Sequence, residues 1–229
     1  MAVADTLHHV VFDEVPPDDY WHVYDLAYGP LATHPCCLAR LALVAGRPAT
    51  VIVRPTFYIA WTPDAALWET ALRDVAPDAA GGVSLLPGYA AGHGLARLHL
   101  NRPLPIVAMD HPARRKVIDY NSAEDQRWHG HLTTDRYRRT HFAAAAVDTQ
   151  CTALGHVLGG FRWPSRQLQS DLVAVLYGDV SDRDWAIAET IELASPRGQA
   201  MITAALQQAN MVLVPDLRSV VAGSRTGGP

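Results

Sequence analysis

The stretch FYIAWTPDAALWE, from Phe57 to Glu69, predicts a strand, a tight turn and the first turns of a helix. Its first five residues are aromatic or apolar, as is typical of a buried strand. Thr62 suits the N-cap of a helix, and Pro63 suits the first helical position. The helical pattern continues to about Asp74, shortly before a proline that cannot extend it.

Two polar side chains of this stretch are candidates for a functional site. The layout places Tyr58 on the strand and Glu69 about two turns into the helix, so both can face one cleft. Glu69 lies beside Trp68 at the edge of the apolar face, where a carboxylate needs a partner or a function. The alternative interpretation is a core tyrosine and a solvated helix glutamate.

The same stretch resembles the signature of the RES-domain family, which is named for an Arg, a Glu and a Ser and is related to ADP-ribosyltransferases. That signature has a tyrosine, an alanine, a Ser/Thr-x-x-Ala pattern and a glutamate eleven positions after the tyrosine. The matching residues of this chain are Tyr58, Ala60, Thr62, Ala65 and Glu69.

A second element of the family follows a helix and has the pattern Gly-apolar-x-aromatic-x-Ser. Gly160 to Ser165 fits this pattern after an alanine-rich helical segment, so Ser165 matches the family's serine. The family also has Gly-Arg about eleven residues before the tyrosine, where this chain has Arg47. The Trp/Phe-Asn pair that follows in the family is replaced here by Pro48 and Ala49.

The early strand of the family carries an aromatic-Arg-apolar pattern. Here Trp21, His22 and Val23 occupy it, so histidine stands where the family's first arginine is expected. Related ADP-ribosyltransferases of the diphtheria-toxin type use a His, Tyr, Glu set, which makes His22 a candidate ligand residue. A core or edge histidine is the alternative.

Composition narrows the function classes. The 229 residues carry a net charge of −4 and are 49% hydrophobic, which predicts one domain with a substantial core and no basic footprint for nucleic acid. The three cysteines show no C-x-x-C spacing, so neither disulfides nor a metal site are predicted. We expect no signal peptide, no membrane segment and a cytoplasmic location. The expected division is a 1–19 extension, a 20–217 RES-like NAD-binding domain and a disordered 218–229 tail.

The resemblance implies an α+β fold in which a split, strongly curved sheet, as in ADP-ribosyltransferases, clasps a dinucleotide. It further implies a bacterial enzyme that uses NAD as substrate and cleaves its nicotinamide–ribose bond, as a glycohydrolase or phosphorylase. Many such proteins are toxins paired with an antitoxin protein. The oligomeric state is left open, and a homodimer is one of the alternatives.

The resemblance also assigns roles to single residues. Glu69 would stabilise positive charge on the ribose, and Tyr58 would stack on the nicotinamide. Ser165 would hold Glu69 or a ribose hydroxyl in place. Arg47 would bind the pyrophosphate or a ribose, and His22 would bind the ribose or the adenosine.

Three other functions remain open at this stage. The first is a mono-ADP-ribosyltransferase that modifies a protein, although Leu67 stands where transferases often carry a second acidic residue. The second is an NAD-consuming step of small-molecule biosynthesis, and the third is a non-catalytic nucleotide-binding module. A redox use of NAD is not indicated, because no G-x-G-x-x-G follows a strand.

Overall fold

The computed structural model describes residues 10–33, 40–45, 51–52, 54–85, 88–134, 136–178, 180–181 and 183–214. Within these ranges the strands are β1 (Phe12–Val15), β2 (Asp19–Asp25), β3 (Val44–Ala45), β4 (Val51–Ile52), β5 (Thr56–Ala60), β6 (Gly82–Val83), β7 (His93–Leu100), β8 (Leu104–Ala108), β9 (Gly160–Pro164), β10 (Leu172–Tyr177), β11 (Trp185–Glu192) and β12 (Val212–Leu213). The helices are α1 (Pro63–Glu69), α2 (Tyr89–Gly92), α3 (His111–Arg114), α4 (Ala123–Thr133), α5 (Tyr137–Ala153) and α6 (Pro196–Gln208).

Eight strands form the main sheet, in the spatial order β1-β8-β9-β10-β5-β2-β7-β11. Neighbouring strands are antiparallel except β8 and β9. In the middle of the sheet, β2 meets β5 through one residue pair, Trp21 with Ala60. By contrast, β2 pairs with β7 continuously from Asp19 to Asp25. The sheet is therefore split between β2 and β5.

Each face of the sheet has its own apolar cluster, because successive strand residues point to opposite sides. Tyr58 and Ala60 of β5 face the cluster that contains residues of α1, α4, α5 and α6. We call this side the helix-covered face. Phe57 of β5 faces the other cluster, which joins Ile106 of β8 to Leu98 of β7. We call that side the opposite face. The predicted α+β fold with a split sheet is confirmed.

The stretch around α1 folds largely as its sequence predicts. The Thr62 hydroxyl caps the helix by accepting a hydrogen bond from the Ala65 amide at 3.1 Å. The helix ends at Glu69, however, and the predicted extension to Asp74 is wrong. The Thr70 hydroxyl donates to the carbonyl of Ala66 at 2.5 Å, which is the acceptor that its own amide would use in a continuing helix.

The N-terminal part of the chain contributes to the main sheet. Strand β1 lies inside the 1–19 segment and pairs with β8 at the edge of the sheet. The predicted tail over residues 218–229 lies outside the described residues. None of the helices in the described ranges combines the length and the apolar character needed to cross a membrane.

Gly160 marks a close approach between β9 and β10. A Cβ at this position would lie 2.2 Å from the carbonyl oxygen of Val175, so the main chain would have to move. We expect Gly160→Ala to lower the free energy of unfolding by about 1–3 kcal/mol, measured by urea denaturation. Gly130→Ala on α4 is the matched control, because an added Cβ there meets no atom within 4 Å. Equal losses in both variants would contradict this account.

Candidate functional site

The site is built around the Glu69 carboxylate at the C-terminal end of α1. Its Oε1 atom accepts a hydrogen bond from the Ser165 hydroxyl at 2.7 Å and one from the main-chain amide of Arg166 at 2.6 Å. A carboxylate at this end of a helix faces the negative end of the helix dipole, so it needs such donors. Two donors on one oxygen fix the orientation of the carboxylate.

Ser165 belongs to a tightly bonded loop between β9 and β10 and is 1% exposed. Its hydroxyl also accepts from the amides of Gln167 at 3.3 Å and Leu168 at 3.2 Å. At the other end of α1, the Thr62 hydroxyl donates to Asp171 of the same loop at 2.5 Å. The loop is therefore bonded to both ends of α1, and these bonds fix the positions of Glu69 and Ser165 relative to each other.

Tyr58 reaches the same region from β5, on the helix-covered face. Its hydroxyl donates to the main-chain carbonyl of Arg40. Burial strongly raises the pKa of Tyr58, so the hydroxyl stays a protonated donor. Glu69 acts electrostatically on this hydroxyl, so the two predicted residues lie in one neighbourhood. The bonded hydroxyl indicates that Tyr58 supports the main chain of Arg40.

The Glu69 neighbourhood also contains residues that the sequence did not single out. The Arg40 guanidinium lies 5.3 Å from the centre of the Tyr137 ring, and that of Arg73 lies 6.0 Å from the same ring. Arg40 is 7% exposed and interacts electrostatically with Glu69. Burial lowers the pKa of Arg40. The Glu69 carboxylate is therefore surrounded by arginine and tyrosine side chains.

His22 lies on β2 beside the main chain of β5. Its Nδ1 donates to the main-chain carbonyl of Tyr58 at 2.6 Å, and its ring lies 4.3 Å from that of Phe57. Phe57 belongs to the cluster of the opposite face, whereas the Tyr58 side chain lies on the helix-covered face. The structure therefore does not bring the His22 ring together with Glu69 and Ser165. His22 instead joins the two halves of the sheet at the split.

Arg47, the remaining predicted site residue, lies outside the described residues. Across the part of the chain that the structure describes, no group of three or more His, Cys, Asp or Glu side chains could hold a metal ion. A cavity of about 300 Å³ lies against β1 and β8, and its lining includes Phe12 and His156 but neither Glu69 nor Ser165. The hydrogen-bond geometry around Glu69, not this cavity, identifies the candidate site.

Comparisons with known proteins agree with the fold. No family model matches the chain, and no curated protein matches it either. Among solved structures, it is similar to a chain in the crystal structure of the M. tuberculosis MbcT–MbcA toxin–antitoxin complex. The TM-score is 0.52 and the identity 13%, over 84% of this chain and 91% of that chain. An identity this low is evidence for the fold alone, so the comparison confirms the predicted fold.

Proposed function

We propose that this protein cleaves the nicotinamide–ribose bond of NAD, with Glu69 as the catalytic carboxylate. The observation that carries the proposal is the fixed Glu69 carboxylate, held by the Ser165 hydroxyl at 2.7 Å and the Arg166 amide at 2.6 Å. Glu69 lies on α1 and interacts electrostatically with Arg40, which stacks on Tyr137, and this surrounding supports the same conclusion. The fold shared with a chain of a toxin–antitoxin complex supports a toxin role and an antitoxin partner.

The chemistry needs a fixed negative charge more than a proton donor. When the bond between ribose C1′ and the pyridinium nitrogen breaks, both electrons leave with nicotinamide, which departs neutral. Positive charge then develops on C1′ and the ring oxygen of the ribose. A carboxylate held in place beside that charge stabilises the transition state, as in glycoside cleavage. Water then adds to C1′ and loses a proton, which gives ADP-ribose.

The surroundings of Glu69 favour a small acceptor over a protein acceptor. Leu67, two positions before Glu69, is fully buried in the apolar cluster of the helix-covered face. A side chain at that position therefore faces the core and cannot contact an acceptor protein. This observation supports water, or another small acceptor, over ADP-ribosyl transfer to a protein.

The direct test is to incubate the purified protein with NAD and to quantify free nicotinamide and ADP-ribose over time. We expect both products to accumulate, in equal amounts if water is the acceptor. Intact NAD after prolonged incubation, combined with measurable NAD binding, would leave the protein as a non-catalytic nucleotide-binding module.

Ser165→Ala tests the positioning of the catalytic carboxylate. The substitution removes one of the two donors to Glu69 Oε1, so we expect kcat for nicotinamide release to fall roughly tenfold or more, with a smaller change in KM. The matched control is Ser170→Ala in the same loop, whose hydroxyl lies 3.4 Å from Asp171 and does not contact Glu69. A kcat equal to that of the control would remove Ser165 from the mechanism.

A further inference from the structure

Three side chains from different elements hold the main chain of Arg40 and Leu41. The Tyr58 hydroxyl on β5 donates to the carbonyl of Arg40, and the Tyr177 hydroxyl on β10 donates to the carbonyl of Leu41. The amide of Leu41 donates to the Thr140 hydroxyl on α5 at 2.8 Å. We call Tyr58, Tyr177 and Thr140 the clamp.

The clamp holds a backbone conformation that leucine rarely adopts. Leu41 is fully buried and has a φ of 58°, in the left-handed region that favours glycine. Such a conformation persists where the surrounding structure determines it, and it is found preferentially at functional sites. Here the hydroxyls of Tyr58, Tyr177 and Thr140 hold the main chain of Leu41 in this conformation.

By fixing the main chain of Arg40, the clamp positions the Arg40 guanidinium. This group donates to the main-chain carbonyls of His131, at 3.3 Å, and of Leu132, at the C-terminal end of α4. The Glu69 carboxylate acts electrostatically on Arg40, whereas the two carbonyl oxygens accept hydrogen bonds without neutralising its charge. In contrast, Arg54 lies 5.2 Å from the Tyr177 ring and forms an ion pair with Asp148 at 2.7 Å.

We infer that Arg40, held by the clamp, binds a phosphate group of the substrate in the site formed by Glu69. The inference rests on the proposed function, in which that group belongs to the diphosphate of NAD. A guanidinium fork matches phosphate oxygens in charge and geometry. Arg73, which faces the same Tyr137 ring, lies in position to contribute a second positive charge. Tyr58 then acts as a positioning residue for Arg40, not as a stacking surface for nicotinamide.

The test measures the binding of inorganic pyrophosphate by calorimetry, which needs no NAD cleavage. We expect Arg40→Gln to weaken pyrophosphate binding about tenfold or more, as for loss of a charge-assisted hydrogen bond. Arg40→Lys keeps the charge but not the fork, so an intermediate loss is expected, and this variant serves if Arg40→Gln does not fold. Arg115→Gln is the matched control, because this exposed arginine stacks on Tyr120 away from the clamp, and it is expected to bind like the wild type. Unchanged binding in Arg40→Lys and Arg40→Gln, or no pyrophosphate binding by the wild type at millimolar concentration, would overturn the inference.

Tyr177→Phe tests the clamp at a distance from Glu69. The variant loses the bond to the Leu41 carbonyl, so Arg40 is held less firmly. We expect pyrophosphate affinity to fall several-fold and KM for NAD to rise with kcat nearly unchanged, in a protein that circular dichroism shows to be folded. Wild-type affinity in this variant would show that the clamp does not position Arg40. Pyrophosphate binding that depends on Arg40, without any nicotinamide release, would reject the proposed function and leave the phosphate site standing.

Discussion

Glu69→Gln is expected to lower the rate of nicotinamide release by about 10²–10³-fold, as for the loss of a preorganised electrostatic group. Glutamine has nearly the same shape as glutamate, and its carbonyl oxygen can still accept from Ser165 and from the Arg166 amide. The substitution therefore removes the negative charge and keeps the local geometry. Because that charge stabilises the transition state more than bound NAD, the loss should appear in kcat and not in affinity.

The measurement is nicotinamide release at saturating NAD, with NAD affinity determined separately by calorimetry. Glu192→Gln is a suitable control, because this exposed glutamate lies on β11 at the far edge of the sheet. A Glu69→Gln variant with wild-type turnover would exclude Glu69 from the chemistry. A variant that lost NAD binding together with turnover would assign Glu69 to ground-state binding instead.

The pairing of Glu69 with Ser165 shows what the sequence could predict. The strand, the N-cap and the first helical turn around Thr62 follow from local preferences of the residues themselves. The two side chains of the site are separated by 96 positions, and no local pattern connects them. Their proximity was predictable through the resemblance of two separated motifs to one family. The structure places their oxygens 2.7 Å apart.

The face of the sheet on which the His22 ring lies could not be predicted from the sequence. In a strand, a shift of one residue exchanges the two faces of the sheet. The pattern around Trp21, His22 and Val23 predicted a strand, but it did not determine which of these side chains faces the helices. The observed register puts Trp21 and Val23 with the helix-covered cluster and the His22 ring against Phe57 on the other side.

Arg40 was missed for a different reason. It lies outside the regular elements, next to a leucine with a positive φ, and its supports come from β5, β10 and α5. Neither periodicity nor a capping pattern marks such a residue, since its environment exists only once the fold has formed. The family pattern instead directed attention to Arg47, whose role stays a prediction.

Arg114→Met is expected to destabilise the protein by about 3–5 kcal/mol, which lowers Tm by on the order of 10 °C for a chain of this size. Arg114 of α3 forms an ion pair with Asp125 of α4 at 2.8 Å, and the two side chains are 4% and 8% exposed. Removing the arginine leaves a buried carboxylate without its counter-charge. The main-chain amide of Asn121 donates to the Asp125 carboxylate at 3.1 Å, but one such hydrogen bond is too weak to replace the ion pair.

The double variant Arg114→Met, Asp125→Leu separates the loss of the pair from the loss of packing. It removes both charges, so most of the lost stability should return in urea denaturation, because a buried ion pair replaced by apolar groups is close to neutral. Arg197→Met is the exposed control: Arg197 pairs with Glu189 on the surface and is expected to contribute less than about 0.5 kcal/mol. If the double variant is as unstable as Arg114→Met, removing the unpaired carboxylate has recovered no stability. The arginine would then stabilise this region through its packing and not through its charge.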